Sequence, residues 1–418
     1  MTRYCSFRVY RLGARALFGR AGWQEGMVRV LMYFDFRTWL KLVQLAAHES
    51  SPRRRFGLYI RLLIRTPLVA LFTAVCFFLD PILFPGLRRT EVRAPVFVIG
   101  HARSGTTLMH RLMSEDRESF SVFKYWELFA PSLLQKKIVH WLAALDRSFF
   151  GGALERRVRA SEQRKFGATQ HIHRMGYTIP EEDDFLFMHS CASGGWIVAL
   201  PYIGELDFYH VDRRPAKSRA RLMNYYRECV RRQIYLNGGN RIHLSKNPLF
   251  CGRVESLIET FPDARFVLLY RNPYETIPSL LKLMKVSWKM RHFDEERIRN
   301  SLAVLASMSC HNYTWPLEVL ARHPATRFSV VDYRALVSAP EETVRQVYSD
   351  IGLEPGAAFA ARLALEQGKV REHETAHSYS LEEFGLDSEE IHAQLEDLFL
   401  RFGWPRPTPQ KDAGEHTA

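Results

Sequence analysis

Apolar positions along the chain fall into a few short, unbroken runs, separated by stretches where they recur at helical spacing. Pro95–Ile99 (PVFVI) is apolar throughout, as expected of a strand covered on both faces in a parallel sheet. Arg241–Ser245 (RIHLS), Arg265–Tyr270 (RFVLLY) and Arg327–Asp332 (RFSVVD) predict three more strands. Helical spacing begins at Leu108–Ser114 and returns at about Tyr274–Lys285 and Pro340–Asp350. Strands alternating with helices predict an α/β fold built on a parallel sheet flanked by helices. Residues 116–240 read as mostly helical, a large insertion.

The first 93 residues have a different texture, rich in Arg, Leu and Phe. Within them Thr66–Leu79 (TPLVALFTAVCFFL) carries no charge, with Arg65 before it and Asp80-Pro81 after it. A bilayer span needs about 20 apolar residues, so this run predicts a helix lying on a membrane surface or on the body, with a true span as the alternative. Arg53-Arg54-Arg55, with Arg61 and Arg65, suits anionic headgroups, so membrane contact is expected through residues 53–85. The extreme N-terminus has no uninterrupted apolar stretch of the kind a cleavable signal peptide requires. The predicted division is a basic, apolar helical arm (1–93), one domain (94–404) and a disordered tail (405–418).

Composition narrows the class. At 418 residues, with 47% hydrophobic and 25% charged positions, the chain is of ordinary globular make-up and is neither wholly disordered nor fibrous. The net charge of +13 invites a nucleic-acid partner, but residues 1–93 hold 16 Lys/Arg against 5 Asp/Glu. The excess thus belongs to the arm and not to a groove on the main body, and no nucleic-acid partner is expected. Six cysteines (Cys5, Cys76, Cys191, Cys229, Cys251, Cys310) show no CxxC spacing, so reduced thiols are expected in place of a disulfide scaffold or a zinc ribbon.

Gly100-His101-Ala102-Arg103-Ser104-Gly105-Thr106-Thr107 lies between the first strand and the first helix. The glycines permit tight turns whose N–H groups converge on one anion, and the helix N-terminus adds partial positive charge. Thr106 and Thr107 add hydroxyls, and Arg103 adds a full charge with several donors. The spacing is that of a G-x4-G P-loop, but Gly105 is followed by Thr106 where a nucleoside-triphosphate loop places lysine. The loop is therefore expected to grip an anion other than Mg-ATP. A second cationic segment, Arg271-Asn272-Pro273 through Ser279, starts at a strand end, where sheet ligands bind, and continues into a helix.

Together the two segments resemble the sulfotransferase superfamily, whose donor is 3′-phosphoadenosine-5′-phosphosulfate (PAPS). FVIGHARSGTTLMHRLM is similar to that family's 5′-phosphosulfate loop, and FVLLYRNPYETIPSLL to its 3′-phosphate segment. The arginine loop resembles a bacterial-type (PRSGTT-like) branch related to tyrosyl-protein and carbohydrate sulfotransferases. The likeness covers residues 94–355, and His377–Leu386 resembles that branch's C-terminal segment. It implies that Arg103, Ser104, Gly105, Thr106 and Thr107 hold the phosphosulfate and that Arg271 and Ser279 hold the 3′-phosphate. It further implies that Glu127, in Tyr125-Trp126-Glu127, takes the acceptor's proton, while Lys246, before Asn247-Pro248, balances charge with Arg103. Glu181 and Glu182, in the acidic run Pro180–Asp184, and His171 and His173 are acceptor-side alternatives; the acidic run by itself reads as a solvated loop or helix start. Arg and Lys can carry the counter-charge, so no metal is expected, and HxH alone does not specify zinc.

These implications make the chain a sulfotransferase that moves a sulfuryl group from PAPS to an acceptor hydroxyl and releases 3′-phosphoadenosine-5′-phosphate (PAP). A lipid, glycolipid or carbohydrate acceptor is expected, on the cytoplasmic side of a membrane, or in a Golgi lumen if the arm spans one. Two other readings stand beside this one. A P-loop kinase or NTPase would need an Mg-binding aspartate, for which Val330–Tyr333 (VVDY) is the nearest candidate. A membrane-associated scaffold with a degenerate nucleotide fold would make little use of the loop. Tyr177, Phe185, Phe187, Trp196 and Tyr202 either line an apolar acceptor pocket or belong to the core.

Overall fold

The computed structural model describes residues 32–167, 175–363 and 381–406. His171 and His173 lie outside them, as do Cys5 and residues 407–418. Five strands form one parallel sheet in the order β2-β3-β1-β4-β5: β1 Val96–Gly100, β2 Phe120–Ser121, β3 Ile242–Lys246, β4 Arg265–Tyr270 and β5 Arg327–Asp332. The central strand β1 is buried at all five positions, as its unbroken apolar run requires. Strand alternation divides its side chains between two layers. Val96 and Val98 face Met109, Val344 and Val347 on one side; Phe97 and Ile99 face Tyr226, Phe261 and Ile277 on the other.

Parallel pairing brings every strand's carboxyl end to one edge. Val98 pairs with Lys246, Gly100 with Leu269 and Tyr270 with Asp332. From β1 the chain leaves toward β2 and β3, whereas β4 is followed by β5 on the opposite side. The crevice between β1 and β4 is therefore a topological switch point, where open α/β sheets bind ligands. Several elements are not evident in the sequence pattern, among them β2 and the 28-residue helix Glu295–Arg322. The insertion is helical at Leu133–Phe149, Ala153–Phe166 and Ala216–Leu236, with mostly turns and short 3-10 segments between Met175 and Pro215.

The described part of the N-terminal unit lies against the domain. Leu42, Leu45, Leu58 and Leu62 share a buried cluster with Trp196, Leu200 and Phe208, and Tyr33 and Phe77 enter the main core. Pro52–Leu83 is one helix of 32 residues, long and apolar enough to cross a membrane. Its turns widen at Ile60–Arg65, where the Leu62 carbonyl accepts a hydrogen bond from Trp39 Nε1 (2.8 Å). The helix continues through Asp80 and Pro81 because Asp80 is buried and paired. Asp80 accepts from Ser132 Oγ (2.9 Å), Leu133 N (3.1 Å) and Leu134 N (2.9 Å), which caps the Leu133–Phe149 helix, and it binds Arg232 Nε (2.7 Å). Cys76, Cys191, Cys229 and Cys251 are buried free thiols, and Cys310 is partly buried.

Candidate active site

The loop after β1 is bent in ways only some residues allow. Gly100 (φ +149°) and Gly105 (φ +96°) both lie in the region that favours glycine. A Cβ on Gly100 would meet the Leu269 carbonyl oxygen at 2.3 Å, and one on Gly105 would meet the Tyr333 ring at 2.6 Å. Arg103 itself adopts a left-handed conformation (φ +75°), a strained geometry of the kind found at ligand clamps. The helix Thr106–Ser114 begins directly afterwards and has no side-chain cap, so its first amides are left for a ligand. Ser104 Oγ is buried without a hydrogen-bond partner. A cradle too tight for Cβ atoms, uncapped helix amides and an orphaned hydroxyl fit a bound phosphate or sulfate oxygen.

The second cationic segment meets this loop directly. Arg103 Nε donates to Ser279 Oγ (3.2 Å), on the helix Pro273–Lys289 that follows Arg271. The Arg271 guanidinium pairs with Glu275 (2.6 Å) and lies over the Tyr333 ring (4.4 Å), the same ring that packs against Gly105. The Tyr333 ring thus touches both segments, at Gly105 and at the Arg271 guanidinium.

His101, two residues before Arg103, is tied down on every side. Its Nδ1 lies 2.6 Å from the Ala102 carbonyl, its Nε2 lies 3.1 Å from Ser309 Oγ, and its ring stacks on Tyr313. Tyr313 in turn donates to the Arg271 carbonyl (2.8 Å). The helix Glu295–Arg322, carrying Ser309 and Tyr313, therefore braces both anion segments at once. Burial lowers the His101 pKa to about 4, which keeps the ring neutral.

Lys246, at the end of β3, is fully buried and donates to Glu181 Oε1 (3.1 Å) and Glu182 Oε1 (2.9 Å). Burial pulls its pKa down, but Glu182 and Glu181 outweigh that effect, and the ammonium is held above the ordinary lysine range. The acidic run is thus not the solvated loop expected of four consecutive acids. Asp183 binds Tyr226 (2.5 Å) and His243 (2.8 Å), while Asp184 binds Ser193 (2.6 Å) and Arg253 (3.0 Å). Only Glu182 keeps an appreciable part of its side chain open, 30% against 5% for Glu181. His110, on the helix after the phosphate loop, is buried close enough to feel this cluster. Burial first, then the Lys246 charge, lowers its pKa to about 4.

Glu127 is also buried, but its surroundings differ. Its Oε2 accepts from Lys124 N (2.8 Å), which caps the short helix Tyr125–Leu128, and from Gln233 Nε2 (3.0 Å). Gln233 in turn binds Lys136, whose pKa burial lowers to about 8. The segment before Glu127 runs beside the acidic run: Tyr125 N donates to Ile179 O (2.9 Å) and Glu181 N to Phe123 O (3.2 Å). Glu127 and Glu182 therefore sit on neighbouring segments. Of the aromatic residues with two expected roles, Phe187 and Trp196 are fully buried core; Tyr177, Phe185 and Tyr202 are partly exposed.

Among the described residues no group of three or more His, Cys, Asp or Glu side chains could hold a metal ion. Asp332, the nearest candidate for an Mg-binding aspartate, caps the next helix through Arg334 N (2.8 Å) and pairs with the Arg334 side chain.

Comparison with known proteins identifies relatives over most of the chain. The chain is 25% identical over 402 residues to the omega-hydroxy-beta-dihydromenaquinone-9 sulfotransferase Stf3 of Mycobacterium bovis and of Mycobacterium tuberculosis, covering 93% of this chain and 94% of theirs. Its fold is similar to that of crystalline sulfotransferase STF9 from Mycobacterium avium (TM-score 0.67, 18% identity, 90% of this chain and 93% of that one). Sulfotransferase STF1 from Mycobacterium tuberculosis is similar as well (TM-score 0.61, 18% identity, 86% of this chain and 92% of that one). The profile of the Sulfotransferase family matches residues 95–355, which run from β1 past β5 and include both cationic segments. The chain belongs to the sulfotransferase family and is a sulfotransferase enzyme.

Proposed function

We propose that the protein transfers a sulfuryl group from PAPS to a hydroxyl on a lipid acceptor of the polyprenyl or quinol class. The observation that carries the donor is the Arg103–Ser279 hydrogen bond, which brings the two cationic segments to one crevice. A single donor with anionic groups at both ends suits two such segments better than one phosphate does. Arg103 with the amides of Ser104–Thr107 would hold the 5′ end, and Arg271 with Ser279 the 3′-phosphate. Bound there, PAPS supplies the sulfuryl group and a phosphate leaving group, and PAP is the product.

The protein's own side chains do the rest. Lys246 offers a buried positive charge at the strand end next to the loop, where preorganised charge is worth most. For the base we favour Glu182 over Glu127. Glu182 is the more exposed carboxylate on Lys246, whereas Oε2 of Glu127 is engaged as a helix cap and by Gln233. No step calls on a metal. A kinase reading is disfavoured because both strands beside β1 lead into cations, Lys246 and Arg271, where an Mg-binding aspartate is needed.

The acceptor class rests on the Stf3 relatives, which are named for an omega-hydroxylated menaquinol and match nearly the full length of the chain. The apolar exposed face of Pro52–Leu83 adds a place to meet a membrane-borne substrate. We place the enzyme at the cytoplasmic face of a membrane, with contact through residues 53–85. The test is incubation with sulfur-labelled PAPS and detergent-solubilised omega-hydroxylated prenyl quinols, beside oligosaccharides and peptides. Label is expected in the lipid fraction; label confined to sugars or peptides would overturn the acceptor assignment and leave the donor standing.

A further inference from the structure

The helix Pro52–Leu83 exposes an apolar face where a surface helix of a water-soluble protein is polar. Its buried face mixes Leu58, Leu62, Ala70 and Phe77 with Thr66, Thr73, Cys76 and Asp80. Its exposed face carries Leu63, Ile64, Leu68, Leu71, Phe72 and Val75, with Leu71 64% exposed. Water would select a polar outer face, and an exposed apolar surface of this extent marks an interaction site. The polar groups that a spanning helix would have to bury in lipid are instead matched by the protein. Thr73 accepts from Gln135 Nε2 (2.9 Å), and Asp80 pairs with Arg232. A helix fixed along one side to its own domain lies on a bilayer rather than through it.

The same seam joins this helix to a second apolar element. Asp80 caps the helix Leu133–Phe149, which returns through Phe150-Gly151-Gly152 as the helix Ala153–Phe166. The tip of this hairpin is held in shape: Asp146 accepts from Leu154 N and Glu155 N (2.9 Å each), capping the second helix. At that ordered tip Phe149 and Phe150 are 75% and 68% exposed, and Trp141 on the first helix is 61% exposed. A cleft on the hairpin is lined by Leu142, Leu145, Phe150, Ala153 and Leu154, with Asp146 and Arg157. The second helix is basic, with Arg156, Arg157, Arg159, Arg164 and Lys165 against Glu155 and Glu162.

We propose that the Ser132–Phe166 hairpin is a second bilayer-contacting element. It inserts Phe149 and Phe150 among acyl chains, sets its arginines against anionic headgroups, and forms one docking platform with the exposed face of Pro52–Leu83. Apolar tip residues flanked by cations fit a lipid surface carrying negative charge, and a rigid turn presents them without an ordering cost. The hairpin belongs to the insertion that includes the acceptor-side acids, so docking would bring the bilayer to the acceptor side of the enzyme. The inference extends the reading of a lipid acceptor. Its readout needs neither donor nor acceptor, so either can fail alone.

The experiment is co-sedimentation of the full chain with vesicles of phosphatidylcholine alone, or of equal parts phosphatidylcholine and phosphatidylglycerol. The wild type is expected to sediment with the mixed vesicles and less with the neutral ones. Phe149→Ser with Phe150→Ser should lower the partition coefficient about tenfold or more, since two buried aromatic side chains leave lipid. Arg157→Glu with Arg164→Glu should abolish the preference for anionic vesicles. Both double variants change exposed positions, so their melting temperatures and PAP affinities should match the wild type. Equal sedimentation of the Phe149/Phe150 variant and the wild type would overturn the proposal. So would a wild type that ignores both vesicle types and elutes as a dimer dispersed by that same double substitution, because the hairpin would then pair two copies.

Discussion

At the scale of single residues, the proposed donor side of the site has a local sequence signature and the proposed acceptor side has none. Gly100, Arg103 and Gly105 fall within six residues, and Arg271 and Ser279 lie eight apart in a second segment, so local spacing within each segment suggests its chemistry. The loop's glycines occupy positions where a Cβ would strike backbone or the Tyr333 ring. Lys246 meets Glu181 and Glu182 across 64 or more residues of chain, which no local pattern records. The acidic run looked solvated because four carboxylates together are costly unless each finds a partner. Here His243, Lys246 and Arg253 from β3 and the turn after it provide those partners. This geometry separates the two base candidates. Glu182→Gln should lower kcat by about 100-fold or more while PAP affinity stays unchanged, in keeping with loss of a proton acceptor. Glu127→Gln should chiefly lower the unfolding midpoint, because its oxygen caps a helix. Steady-state rates and PAP titrations of both variants decide it; full turnover by Glu182→Gln would return the role to Glu127.

At the scale of elements, the strands were readable to within a residue because the sheet is parallel and covered on both faces. Strand β2 was missed because two residues give no periodicity. The Glu295–Arg322 helix was missed because its buried side mixes Ile298 and Leu302 with Ser301 and Ser309, which interrupts the apolar spacing. The apolar N-terminal run was cut at Asp80-Pro81 because a charge followed by proline reads as a helix stop. In the fold Asp80 is the pivot of a buried network with Arg232, Glu228 and the cap of the Leu133–Phe149 helix. Asp80→Ala should therefore cost about 3–5 kcal/mol, the range for breaking a buried ion pair from one side. Urea unfolding of the wild type and the variant measures it. A loss under about 1 kcal/mol would mean that the helix is held by apolar packing alone.

For the whole molecule, pH acts on stability through buried imidazoles. His101 and His110 have folded-state pKa values near 4, and an unfolded histidine titrates near 6.5. Between those values the unfolded chain binds protons that the native protein refuses, so stability falls as pH drops from 6.5 toward 4. Each ring contributes at most about 3 kcal/mol of that loss. Denaturation midpoints at pH 7 and pH 4.5 should differ accordingly, and His110→Gln should shrink the difference; an unchanged difference would place the acid sensitivity elsewhere. His101 ties this sensitivity to function, because it braces the phosphate loop against the helix that also braces Arg271.

The central claim is that the two cationic segments hold opposite ends of one adenosine donor. Calorimetric titration with PAP, in the absence of magnesium, tests it most directly. The wild type should bind, and Arg103→Ala and Arg271→Ala should each lose most of that affinity. Undiminished binding by both variants, or a wild type that binds only Mg-ATP, would contradict the account.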